Sequence, residues 1–291
     1  MDQGDLLEEW RALLERRPSF RETLALCEPV LQAWAAWGEK SPPPLPWSAE
    51  ECRVPWGKGE PLLARARPEL RNEDLEPALG PALDALAATG IDGEALQTFA
   101  ELWDTGAIGP RDLFPEPGRL GAGWLPARTR LSVESLGFLA VAGLRPALTR
   151  FFAACRPHLE PGLWGRSVCP FCGAPPAFAE IPEDGQRQLD CHACGGVWVF
   201  SRTRCPFCGT LAISQLIRLV PEGLQEEGYA ITACKGCGGY LKELDRRVRW
   251  NAGSALVEDW GSPHFDLVAR RGGYWRAVPV LVTVADPTVA D

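Results

Sequence analysis

Histidine and methionine are nearly missing from this chain. Its 291 residues include three His (His158, His192 and His264) and one Met, thin material for histidine-based catalysis or mixed His/Cys metal sites. Basic residues are mostly Arg, so lysine nucleophiles are few. There is no surplus of positive charge: 30 Lys+Arg face 38 Asp+Glu, a formal net charge of -8. That balance argues against a protein that lives on nucleic acid or an anionic membrane. No uncharged apolar run approaches the ~18–20 residues of a membrane span. The longest, Leu136 to Leu144, is cut off by Arg145 and Pro146. The opening MDQGDLLEEWRALLERR lacks the apolar core of a secretory signal. HExxH, P-loop and nucleophile-elbow motifs are absent, and the glycines from Gly118 to Gly123 follow no clear strand. A cytoplasmic, reducing location without membrane insertion is therefore expected. There, paired cysteines read as metal ligands or redox groups rather than structural disulfides.

What the chain does have is an ordinary globular composition, 46% hydrophobic and 23% charged, and 11 cysteines. Its length suggests about two domains. Residues 1–165 read as one α-helical domain. Leu6, Leu7, Trp10, Leu13 and Leu14 recur at helical spacing up to a stop near Pro18, and Phe20, Leu24, Leu31 and Trp34 suggest a second helix disturbed at Pro29. Ser41 to Trp47 is proline-rich and reads as a stiff linker. Periodicity returns at Leu79, Leu83 and Leu86 and at Leu96, Phe99, Leu102 and Trp103. Glu134 to Leu159 predicts one long buried helix, kinked at Pro146. None of these segments carries a chemical signature, and Cys27, Cys52 and Cys155 read as buried thiols.

The other eight cysteines form four CxxC pairs: Cys169/Cys172, Cys191/Cys194, Cys205/Cys208 and Cys234/Cys237. CPFCG occurs twice, at 169–173 and 205–209, each time followed by a CxxCGG, at 191–196 and 234–239. This alternation is a tandem duplication. Two residues between cysteines let a tight turn bring both sulfurs to one side, and two such knuckles supply four sulfurs to one tetrahedral ion. The repeat favours sequential pairing, one site from Cys169, Cys172, Cys191 and Cys194 and another from Cys205, Cys208, Cys234 and Cys237. The intervening loops, 173–190 and 209–233, each have room for a hairpin, and 197–200 and 216–220 are strand-like. The expected fold is α+β: the helical domain, tandem rubredoxin-like or zinc-ribbon modules at 166–202 and 203–250, and a C-terminal helix and tail over 251–291. Modules this small need bound metal in place of a core. Two divalent ions held by eight thiolates lower the chain's charge from -8 to about -12. Lys235 occupies the repeat position of His192, so His192 reads as a solvated turn residue. In the last helical stretch, interrupted at 261–263, Ser262 is placed to cap, Pro263 to start and Gly272-Gly273 to stop.

CPFCGAPPAF at 169–178, CHACGGVWVFSRTRCPFCG at 191–209, CKGCGGYLKEL at 234–244 and the trailing helix up to 272–274 resemble the formate dehydrogenase accessory protein family, FdhE. The resemblance covers roughly 165–275. It implies a non-enzymatic, cytoplasmic maturation factor that contacts the catalytic subunit of a molybdenum- or tungsten-dependent formate dehydrogenase. It also implies a metal ion held by each set of four cysteines, iron ahead of zinc. Two other readings compete: a zinc-ribbon nucleic-acid-binding module, disfavoured by 13 basic against 14 acidic residues over 166–291, and a rubredoxin-type electron carrier. Oligomeric state is not legible.

Overall fold

A computed structural model describes residues 3–37, 42–219 and 226–280. The first half is helical, with α1 (Gln3–Arg16), α2 (Cys27–Ala36), α3 (Ala49–Gly57), α4 (Asn72–Ala88), α5 (Gly93–Asp104), α6 (Pro110–Leu113), α7 (Leu125–Thr129) and α8 (Val133–Phe151). Leu6, Trp10, Leu13 and Leu14 are all buried on α1, as their spacing requires. Pro29 does not disturb α2, because it lies in the first turn, where no intrahelical N–H is needed. α8 is buried along nearly its whole length, and the Ser132 hydroxyl caps it by accepting from the Ser135 N–H at 3.1 Å. This helix ends earlier than its periodicity predicts. Pro157 cannot continue an α-helical ladder, so Ala153–His158 tightens into a 3-10 turn. The proline-rich stretch is described from Pro42, Ser41 lying outside the described residues. It is non-helical but anchored: Leu45 is buried and its N–H donates to the Phe151 carbonyl at 2.7 Å.

The cysteine-rich half builds one six-stranded sheet from β1 (Phe178–Ile181), β2 (Gln188–Asp190), β3 (Val197–Val199), β4 (Leu216–Leu219), β5 (Tyr229–Cys234) and β6 (Tyr240–Asp245). The strand order is β3-β2-β1-β6-β5-β4. β1 and β6 run parallel, with Phe178 opposite Lys242, and every other neighbouring pair is antiparallel. Each repeat contributes a three-stranded meander. The two meanders join head to tail, because β1 opens its repeat while β6 closes the other. The last residue of the strand expected at 216–220, Val220, lies outside the described residues.

Two further helices, α9 (Ala255–Trp260) and α10 (Pro263–Arg271), pack on this sheet. Between them Gly261 gives the Leu13 side chain of α1 room that any Cβ would fill. Ser262 does not cap α10 with its side chain. Its hydroxyl instead donates back to the Glu258 carbonyl at 2.7 Å. Buried between sheet and helices is a four-charge cluster. Lys242 reaches Asp259 at 2.8 Å and Asp266 at 2.7 Å, Arg276 reaches the same carboxylates at 3.0 and 2.8 Å, and the Tyr240 hydroxyl donates to Asp266 at 2.7 Å. Two cations balance two carboxylates, so the desolvated charges compensate one another only while all four are present. Lys242→Met, which leaves a buried carboxylate underpaired, is expected to cost about 3–5 kcal/mol, read as a lower urea midpoint at unchanged slope.

Candidate metal centres

All four knuckles fold identically. The first cysteine of each donates its N–H to the carbonyl five residues on (Cys169 to Ala174, Cys191 to Gly196, Cys205 to Thr210, Cys234 to Gly239), at 2.8–3.0 Å. Its carbonyl in turn accepts from the N–H of the glycine four residues on (Gly173, Gly195, Gly209, Gly238), at 2.8–3.1 Å. Those glycines have φ between 65 and 81°, the left-handed region that favours glycine. The second glycine of each CxxCGG has a different task. An ideal Cβ on Gly196 would lie 2.6 Å from Phe171, and one on Gly239 would lie 2.5 Å from Phe207. The bare backbone of one knuckle therefore receives the aromatic ring of the knuckle before it, which is why CPFC and CxxCGG alternate.

These turns bring the sulfurs together in two sets, Cys169/Cys172/Cys191/Cys194 and Cys205/Cys208/Cys234/Cys237, with all four Sγ atoms of each set within 4.8 Å of one another. Cys169 and Cys194 are 3.5 Å apart, Cys172 and Cys191 3.4 Å, and the pairs Cys205/Cys237 and Cys208/Cys234 3.8 Å. A disulfide has an S–S length of about 2.05 Å. A tetrahedron with metal–sulfur bonds of about 2.3 Å has edges of about 3.8 Å. The spacing thus fits an ion at the centre of each set and not a cystine. Donor chemistry agrees. Burial pushes the Cys169 and Cys172 thiols well above their ordinary range, whereas Cys194, despite its burial, is held low by hydrogen bonds from its three neighbours and by Arg156. Four desolvated sulfurs of this kind can all ionise only around a cation.

The two sets differ in their surroundings. Every cysteine of the first is buried, whereas in the second Cys208 is exposed and Cys237 is half-buried. The first is braced from the helical half. Arg145 donates to the His192 carbonyl at 2.6 Å, Thr149 donates to the Cys194 carbonyl at 3.1 Å, and Arg156 donates to the Cys194 and Gly195 carbonyls. On the second, Trp275 lies tilted against Phe207, ring centres 5.5 Å apart, and donates its indole N–H to the Cys237 carbonyl at 2.7 Å. At the second set the Phe207 and Gly239 N–H groups also point at Cys205 and Cys237 sulfurs, both at 3.4 Å.

His192 is not the solvated turn residue that its repeat partner Lys235 suggests. It is buried, its Nδ1 lies 3.6 Å from Asp259, and burial lowers its pKa to about 3, so the ring is neutral. The knuckle carrying it packs inward on α8 and α9, whereas the equivalent knuckle faces outward. It stays outside the sulfur set. Cys27, Cys52 and Cys155 are buried thiols outside both sets, and burial pushes Cys52 up to about 12. No sequence signal singled out Arg145, Thr149, Arg156 or Trp275, because their partners are backbone carbonyls far away in the chain.

No family model matches the chain. It is 31% identical over 148 residues to a protein FdhE homolog of Aquifex aeolicus and 32% identical over 127 residues to one of Pseudomonas aeruginosa. The aligned parts cover 50% and 40% of this chain. Both of these relatives carry the name FdhE homolog. The chain spans about half the length of the curated relatives it matches, 50% and 40% of the two just named. In fold it is similar to the crystal structure of the FdhE protein from Pseudomonas aeruginosa, with a TM-score of 0.63 and 24% identity, covering 98% of this chain and 97% of that one. Among the described residues no helix is long and apolar enough to cross a membrane.

With one ion per set, the second is expected to surrender its metal first. Under a chelator, metal analysis should show two release phases of equal amplitude. Iodoacetamide mapped by mass spectrometry should label Cys208 before any cysteine of the first set.

Proposed function

We propose that this protein is an accessory factor for the maturation of formate dehydrogenase, that it contacts the catalytic subunit of that enzyme, and that it is not itself an enzyme. Cys169, Cys172, Cys191 and Cys194 hold one metal ion, and Cys205, Cys208, Cys234 and Cys237 hold a second. The observation that carries this reading is the pair of convergent four-sulfur sets in a chain whose relatives are named FdhE homologs. Four protein thiolates fill a tetrahedral ion's coordination, which suits a structural or one-electron role and leaves no position for a reacting water. Both iron and zinc accept such a donor set, and iron is the ion favoured by the family resemblance. Proposed segments are a helical unit over 1–165, the two modules over 166–202 and 203–250, and a C-terminal element over 251–291.

In a strain lacking this protein, formate dehydrogenase activity is expected to disappear. The wild-type chain should restore it and Cys169→Ser/Cys172→Ser should not, while an affinity-tagged copy retains the catalytic subunit. Full activity in the deletion strain would overturn the proposal. Metal analysis after anaerobic purification decides between iron and zinc. The exposure of Cys208 favours a second reading, an electron carrier working through the second site. That reading predicts bound iron with a reversible one-electron couple and fails for a zinc-loaded protein from the native host.

A further inference from the structure

Beside the first sulfur set lies a cavity of about 690 Å3, within the range of pockets that bind ligands. It is bounded by α8, by the second knuckle with β3, by Trp34 of α2 and by the start of α9. Four buried polar atoms on its lining have no partner: Arg145 Nε, Asp190 Oδ2, His192 Nε2 and Ser254 Oγ. All four residues are at least nine-tenths buried. Leaving such groups unsatisfied is costly, most of all for charged ones, so their gathering in one cavity signals a missing occupant.

The lining also defines that occupant. Arg145, Arg150 and Arg156 all face the cavity, and among the described residues none of them is ion-paired with a carboxylate. Arg145 lies over the Trp34 ring at 5.5 Å, fixed by that contact and by the knuckle carbonyls. Three guanidiniums select a carboxylate or another anion. Asp190 Oδ2, the carboxylate oxygen among these four unpartnered atoms, calls for an N–H donor. Trp34, Val197 and Leu256 supply apolar wall. Carboxylate, N–H and apolar side chain in one short ligand describe an acidic stretch of polypeptide. A basic segment would set like charge against Arg145, Arg150 and Arg156.

We propose that this cavity binds a short acidic peptide segment of a partner protein, its carboxylate on Arg145 and Arg150, its backbone N–H on Asp190 and an apolar side chain against Trp34 and Leu256. The site rests on the reading of the protein as a factor that handles a client polypeptide. Its location puts that segment against the knuckle of Cys191 and Cys194, so occupancy is sensed at the first metal centre through the same carbonyls that Arg145 and Arg156 hold.

The test is selection of end-blocked random hexapeptides displayed against the full chain purified anaerobically with its metal. Two variants are run in parallel. Arg150→Glu reverses one charge on a side chain whose one hydrogen bond among the described residues is to the Pro42 carbonyl. Val197→Trp fills the mouth from a 40% exposed position on the edge strand. Circular dichroism and metal content establish that both variants are folded. The expected result is enrichment of peptides that pair Asp or Glu with an apolar residue, their affinity falling at least about tenfold in each variant. No enrichment, enrichment without carboxylates, or equal binding by wild type and both variants overturns the site and assigns the cavity to water. Restoration of formate dehydrogenase activity is scored separately. If the wild-type chain restores activity but selects no acidic peptide, the maturation reading stands and this site falls. If it selects such peptides without restoring activity, the site stands and the maturation reading falls.

Discussion

Eight sulfur atoms gathered into two compact sets are the constraint on which the cysteine-rich half depends. The first set concentrates thiols that burial discourages from ionising and that a central cation compels to ionise. The knuckle turn makes this geometry cheap for the backbone. One residue pattern satisfies its own hydrogen bonds, puts a left-handed glycine where the chain must reverse, and leaves a bare second glycine for a neighbouring ring. Because Phe171 and Phe207 each sit on the knuckle that follows, ion binding and aromatic packing are parts of one closure.

Around that closure the duplicated units are not used equally. Head-to-tail joining through β1 and β6 gives each meander a different neighbourhood. The first presses its second knuckle onto α8 and is embedded in the large helical core, so its sulfurs are sealed and its carbonyls are taken by arginines. The second lies toward the far edge of the sheet, with Cys208 open to solvent. The repeated unit thereby yields a protected centre and an accessible one. The Lys242, Asp259, Asp266 and Arg276 cluster ties the C-terminal helices to the joined sheet.

Local signals were legible where one short segment contains its whole cause. The periodic leucines and Trp10 of α1, the CxxC turns, the hairpin loops and the stop at Gly272-Gly273 all depend on neighbours a few residues away. Long-range causes were hidden. α8 ends before Leu159 because Pro157 acts together with the turn the chain must make there. Ser262 bonds backward because the carbonyls of α9 are within reach. His192 is buried although its repeat equivalent is Lys235, because identical turns face different sides of the molecule.

From the order of its residues alone, this chain determines two four-cysteine sets, their sequential grouping and a helical half before them. Each follows from spacing and periodicity, which are properties of contiguous segments. Tertiary structure alone decided that the two modules share one sheet, that Arg145 and Arg156 clasp the first centre, and that the unpartnered Arg145 Nε, Asp190 Oδ2, His192 Nε2 and Ser254 Oγ line one cavity. Such contacts join residues tens to more than a hundred positions apart, and only the path of the folded chain brings them within bonding distance.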